Sequence, residues 1–97
     1  MSDAPVLSSK EAEIRFALRG VIDPEIALSV VDVGLIYDIR VEAETAVITM
    51  TTTTRGCPAT QFLVDAVRKR AMDCAVANNV EVRLTYDPPW SPDMIAG

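Results

Sequence analysis

Apolar residues along this chain recur first at helical spacing, then twice in strict alternation, then at helical spacing again, and finally in alternation. That order is the strongest constraint on its fold, because a helical period and a period of two cannot be exchanged without moving the apolar side chains to the wrong face. Ile14, Ala17, Leu18 and Val21 form the first helical stripe. Ser8 with Glu11 three positions on has the form of a capping box, so this helix is expected to begin at Ser8 or Ser9. Gly20 and the Asp23-Pro24 step end it, since a residue before proline avoids the helical region. A loop is expected from there to Gly34.

Two strands come next. In 35–42, Leu35, Tyr37, Ile39 and Val41 alternate with Ile36, Asp38, Arg40 and Glu42, an inner and an outer row. In 46–53, Ile48 and Met50 alternate with Thr49 and Thr51, and Ala43-Glu44-Thr45 is short enough to close a hairpin. The pattern breaks at Thr54-Arg55-Gly56-Cys57-Pro58, and Pro58 suits the first turn of a second helix. Phe62, Leu63, Ala66, Val67 and Ala71 give that helix an apolar stripe running to about Ala75. Val80, Val82, Leu84 and Tyr86 then alternate with Glu81, Arg83 and Thr85 in a third strand, and a proline-stiffened loop, Asp87 to Pro92, comes after it. The expected fold is a two-layer α/β (α+β) domain of order α-β-β-α-β, a small sheet with two helices on one face. Residues 1–7 read as a flexible tail and 8–97 as a single domain.

Composition narrows the chemistry. The 97 residues include no histidine and two cysteines, Cys57 and Cys74. A Ser-His-Asp triad, a Cys-His pair and a histidine-based zinc protease site are therefore excluded. One chain cannot supply four thiolates to a structural zinc or an iron–sulfur cluster. A 49% hydrophobic composition is ample for a core without a disulfide staple, and the two cysteines read as cytosolic thiols. No apolar run approaches a membrane span. The net charge of −5 argues against nucleic acid, which wants a basic face. The one basic cluster, Arg68-Lys69-Arg70, is flanked by Asp65 and Asp73 at helical spacing and reads as a solvated, salt-bridged face. Neither a phosphate loop nor a dinucleotide-binding glycine motif is present.

Cys57 is the candidate for chemistry. It lies between Gly56 and Pro58 at the expected start of a helix, where unpaired N–H groups favour negative charge, with Arg55 two residues before it. Lowering a thiol pKa from about 8.5 to about 6.5 requires roughly 2.7 kcal/mol. A helix terminus contributes about 0.3–1 kcal/mol and at most about 2, so Arg55 or a bound metal must supply the rest. The other reading is a small residue filling a tight turn, and position alone leaves both open. Cys74 continues the apolar stripe three after Ala71 and is expected to be buried and inert. Asp23 and Glu25, held together by Pro24, read either as a metal or partner site or as turn chemistry. Thr51 and Thr53 are expected on one face and Thr52 and Thr54 on the other, with hydroxyls able to donate to a sulfur or an oxyanion. Trp90, among prolines, either docks on the core or forms an interaction surface.

Taken together, Asp23-Pro24-Glu25-Ile26, Val30 through Tyr37, Met50 through Pro58 and Asp87 through Met94 are four blocks in a familiar order. The chain resembles the iron–sulfur cluster assembly domain family over about residues 12–95. That family includes the bacterial maturation factor SufT, the eukaryotic cytosolic targeting factors and the PaaD subunit of phenylacetyl-CoA oxygenation systems. The resemblance implies a two-layer α/β fold and a non-enzymatic, cytoplasmic role in assembling and maturing iron–sulfur proteins. Cys57 matches the family's characteristic cysteine, and Asp23, Glu25, Thr51, Thr53 and Thr54 match the polar positions around it; Cys74 matches no motif. Arg55 stands where many relatives have proline, which adds a charge beside the site. The C-terminal cysteine-bearing segment of PaaD-like members and the fused ATPase domain of others are not found here.

The function implied by this resemblance is that of a factor helping to deliver clusters to client apoproteins, with Cys57 as transient ligand or transfer thiol. Its expected partners are those clients, the assembly machinery, a separate ATPase carrier and a second copy in a homodimer; neither nucleic acid nor membrane is expected. A transient iron–sulfur cluster or iron is the expected cargo, and no tightly bound cofactor is. The alternative is a non-catalytic accessory subunit of a multicomponent metal-dependent oxygenase system, supported by the acidic surface and the Pro/Trp loop. A small thiol enzyme is the third reading, and it lacks both a histidine base and a resolving cysteine.

Overall fold

A computed structural model describes residues 9–53 and 59–95. Helix α1 spans Ser9–Leu18, with Ile14 and Leu18 fully buried as their spacing predicts. The Glu11 carboxylate accepts from the Val41 N–H at 3.1 Å, tying the helix to the sheet; Ser8, the other half of the capping box, lies outside the described residues.

The segment expected to be a loop is more ordered than its composition indicates. Strands β1 (Ile22–Asp23) and β2 (Leu28–Ser29) form a two-residue antiparallel ladder, and α2 (Val30–Val33) is a single helical turn. Ser29 caps that turn, its hydroxyl accepting from the Val31 N–H at 3.2 Å. Gly34 ends it at φ 89°, and a side chain there would stand 2.5 Å from the Met94 carbonyl oxygen. A serine before Val-Val-Asp-Val-Gly is a start-and-stop signal for a short helix, and it was present in the sequence.

Strands β3 (Ile36–Glu42), β4 (Thr45–Met50) and β5 (Asn79–Leu84) form the main sheet in the order β3-β4-β5, with β3 antiparallel and β5 parallel to β4. Helix α3 (Thr60–Asp73) supplies the crossover between the two parallel strands. It begins two residues later than Pro58, which lies outside the described residues. Helices α1 and α3 pack on each other, α1 against β3 and α3 against β5, so both helices lie on one face as expected. The core between the layers holds Ile14, Leu18, Ile39, Ile48, Met50, Leu63 and Val67. The outer face of the sheet is polar, with Arg40 paired to Asp38 at 3.1 Å and Arg83 to Glu81 at 2.6 Å.

Three details of the expected pattern change. The pairing of β3 with β4 shifts between Ile36 and Asp38, so Tyr37 is the extra residue of a bulge. Ile36, expected on the outer row, is therefore buried opposite Met50, and the inward phase resumes at Ile39. Phe62, expected in the buried stripe of α3, is 59% exposed, whereas Leu63, Val67 and Ala71 are the fully buried residues of that helix. Leu84, expected on the inner row of β5, is 42% exposed: β5 is an edge strand, and its last residue is not covered.

After β5 the chain folds back over the beginning of β3. Trp90 packs against the core and donates its indole N–H to the Val33 carbonyl at 2.8 Å, and Tyr37 donates its hydroxyl to the Pro88 carbonyl at 2.8 Å. A 3₁₀ turn at Pro92–Met94 then lies against Gly34. Of the two readings of Trp90, docking on the protein's own core is the one observed.

Candidate functional site

Polar residues collect where β4 runs out. The strand ends at Met50, three residues short of the expected Thr53, but its neighbours stay attached: the Thr51 N–H donates to the Leu35 carbonyl at 2.9 Å, and the Thr85 N–H to the Met50 carbonyl at 2.9 Å. Beyond the regular strand the alternation lapses. Thr51 and Thr52 are consecutive and both buried, which an extended strand with one wet face does not allow. Thr53, two residues after the buried Thr51, is half-buried, and Thr54 lies outside the described residues.

Burying two threonine hydroxyls requires partners for them. The Thr51 hydroxyl donates to the Thr52 carbonyl at 3.3 Å, and the Thr52 hydroxyl lies 2.7 Å from the Tyr86 hydroxyl. The sequence did not mark Thr52 and Tyr86 as a pair. A signal existed: once Met50 is opposite Leu84 in a parallel pair, counting two residues on along each chain brings Thr52 beside Tyr86.

Asp23 is buried at 2% exposure, at the end of the small ladder. Its Oδ1 accepts from the Glu25 N–H at 2.8 Å, and its carbonyl accepts from the Ala27 N–H at 2.7 Å, so Asp23 closes the turn around Pro24. The turn-chemistry reading of Asp23 is thus satisfied by geometry. Glu25 is exposed, and its Oε1 accepts a long hydrogen bond, 3.4 Å, from the Thr53 hydroxyl. Asp23, Glu25 and Thr53 accordingly belong to one corner of the molecule, reached from two segments far apart in sequence, while Thr51 lies buried just before it.

Thr54, Arg55 and Cys57 lie outside the described residues. Among the described residues, no group of three or more Cys, Asp or Glu side chains is arranged to hold a metal ion.

Cys74 is at the opposite end of α3, a helix of 14 residues and so about 21 Å long. It caps the helix and is half-buried rather than fully buried as expected, with its thiol 3.7 Å from the Glu13 carbonyl oxygen. Burial, reinforced by the Glu13 carboxylate, pushes its pKa above the ordinary thiol value. The shift lowers the thiolate fraction and with it the thiol's reactivity. Two members of the basic cluster are paired as expected, Arg68 on Asp65 at 3.4 Å and Lys69 on Asp73 at 3.5 Å, while Arg70 donates to the Gly20 carbonyl. No helix among the described residues is long and apolar enough to cross a membrane.

Comparison with known proteins converges on one group. A family model described as iron-sulfur cluster assembly protein matches residues 11–86. A Fe-S protein maturation auxiliary factor of Porphyromonas gingivalis is 40% identical over 87 residues, covering 89% of this chain and 83% of the relative. The Fe-S protein maturation auxiliary factor YitW of Bacillus subtilis is 37% identical over 81 residues, covering 82% of this chain and 79% of the relative. Among solved structures, a domain of unknown function from Bacillus anthracis shares the fold with a TM-score of 0.86 at 36% identity, covering 91% of this chain and 85% of that one.

Proposed function

Since this chain belongs to the iron–sulfur cluster assembly protein family, we propose that it is a maturation factor that helps deliver clusters to client apoproteins, with Cys57 as the transient ligand or transfer thiol. The carrying observation is the family match over residues 11–86, which spans the Asp23–Glu25–Thr53 corner and the Cys57 segment together.

The chemistry is dictated by the supply of thiols. Cluster iron is held by thiolates, commonly four of them. Cys74 is tied to the far end of α3 with a raised pKa, which leaves Cys57 as the thiol suited to ligation in each chain. A cluster is then cargo shared with a client, a second copy or a small thiol, and it passes on when the client's thiolates replace Cys57. In this reading the charge of Arg55 would favour the thiolate and Thr54 supplies a hydroxyl in the same stretch of sequence, while the Thr53 hydroxyl is engaged by Glu25. No substrate turnover is assigned to the chain. Cytosolic residence suits this reading, because a transfer thiol must stay reduced.

The test is anaerobic reconstitution followed by cluster transfer to an apoprotein, comparing the native chain with Cys57→Ala. Loss of transfer in the variant, with its circular dichroism unchanged, is the expected result. Equal delivery by both removes Cys57 from the mechanism.

A further inference from the structure

A groove on the surface has a chemistry that runs against the charge of the whole chain. It lies between the Gly20–Ile22 segment that leaves α1 and one side of α3, with a volume of about 410 Å³. Ile22 and Phe62 form its walls and are 49% and 59% exposed, while Val21 and Ala66 contribute to the floor. Large apolar side chains left that open beside a concavity are characteristic of surfaces that receive another molecule.

The rim is cationic in a protein of net charge −5. Lys69, Arg70 and Asp73 line it, and Lys69 is paired with Asp73. Arg70 has no carboxylate within ion-pair distance among the described residues. Its Nη2 donates to the Gly20 carbonyl at 3.3 Å, and the guanidinium lies close over the glycine: a Cβ on residue 20 would be 2.6 Å from Nη2. The charge is thereby held at the groove edge without being neutralised. A pre-positioned guanidinium loses little freedom when it binds a carboxylate, and its forked donors match that group.

We infer that this groove is a docking site for an acidic segment of a partner protein that presents one large apolar side chain. The apolar side chain seats between Ile22 and Phe62 over Ala66, and a flanking carboxylate pairs with Arg70. The assignment rests on the proposed maturation function, in which the protein acts on other proteins, and every residue that lines the groove lies outside the 54–58 segment in sequence.

The experiment is an amide-shift titration of the isotope-labelled full chain with two blocked hexapeptides, Asp-Glu-Leu-Phe-Glu-Asp and the same peptide with every acid replaced by lysine. The acidic peptide is expected to shift the amides of Val21, Ile22, Ala66 and Arg70 saturably, and the lysine peptide is expected to leave them in place. Arg70→Gln and Phe62→Ser, both at exposed positions, should each weaken binding tenfold or more. Gly20→Ala, which displaces the guanidinium without removing it, should weaken it as well. The inference is overturned by no saturable shift up to about 1 mM peptide, by shifts mapping elsewhere, by an equal response to the lysine peptide, or by indifference to Arg70→Gln. Shifts that follow the protein's own concentration would also overturn it, by assigning the groove to a second copy. The readout involves no cluster and no substitution at Cys57. Failure here and failure of cluster transfer are therefore separate results.

Discussion

The Trp90 indole N–H meets the Val33 carbonyl at 2.8 Å across 57 residues, joining the loop after β5 to the one-turn helix before β3. That contact supports the close approach of Met94 to Gly34 and of Tyr37 to the Pro88 carbonyl. Trp90 is consequently part of the packing, while Asp87, Pro88 and Pro89 stay exposed.

Trp90→Phe keeps most of the apolar contact and removes the donor, leaving the Val33 carbonyl without this partner. The expected loss is about 1–2 kcal/mol of unfolding free energy, read by denaturant titration followed by circular dichroism. A change within experimental error would mean that the indole N–H contributes nothing to the docking.

Thr52 and Tyr86 should behave as one unit. Thr52→Val and Tyr86→Phe each preserve shape and remove one hydroxyl of a 2.7 Å pair. Each is expected to cost about 1 kcal/mol. The double variant should cost less than the sum, with a coupling of about 1 kcal/mol in a double-mutant cycle. Strict additivity would show the two hydroxyls to be energetically independent.

Ala43 occupies the β3–β4 turn at φ 53°, a region that costs an L-residue about 1–2 kcal/mol and glycine almost nothing. Part of that gain is offset by the greater freedom of glycine in the unfolded chain. Ala43→Gly is therefore expected to raise stability by roughly 0.5–1 kcal/mol, seen as a higher melting temperature with the same denaturant slope.

Cys74 should give the protein an alkaline sensitivity. Its folded-state pKa is raised from an ordinary 9.0, first by burial and then by Glu13, so the folded chain favours the protonated thiol. The corresponding stability is fully present below pH 9 and is lost as pH rises through the folded pKa. In a Cys57→Ala background, iodoacetamide labelling of Cys74 should reach half its limiting rate above pH 9, and Cys74→Ala should flatten the alkaline limb of the stability profile. Half-maximal labelling at or below pH 9 contradicts the assignment.

Legibility differed from element to element for physical reasons. The stripe of α1 was readable because Ile14 and Leu18 have a continuous core opposite them. The phase of β3 was not, because the bulge at Tyr37 depends on what that side chain reaches, the Pro88 carbonyl, 51 residues away. Phe62 satisfied the helical period yet faces outward, since periodicity reports spacing and not which neighbour covers a face. At the corner beyond β4, Asp23, Glu25 and Thr53 were singled out through the resemblance and the Glu25–Thr53 contact came from the fold, whereas the Thr52–Tyr86 pair required the register of β4 against β5.

By itself the sequence determined the order of the principal helices and strands, the absence of histidine chemistry, and a supply of thiols too small to hold a cluster in one chain. All three come from local spacing and from counting residues. Tertiary structure alone decided that β5 runs parallel to β4, that the Cys74 thiol lies against the Glu13 carbonyl with its pKa raised, and that Arg70 lies over Gly20 beside an open apolar groove. Each of these depends on contacts between residues distant in the chain, and pairing across such distances is set by how the two layers pack rather than by any local pattern.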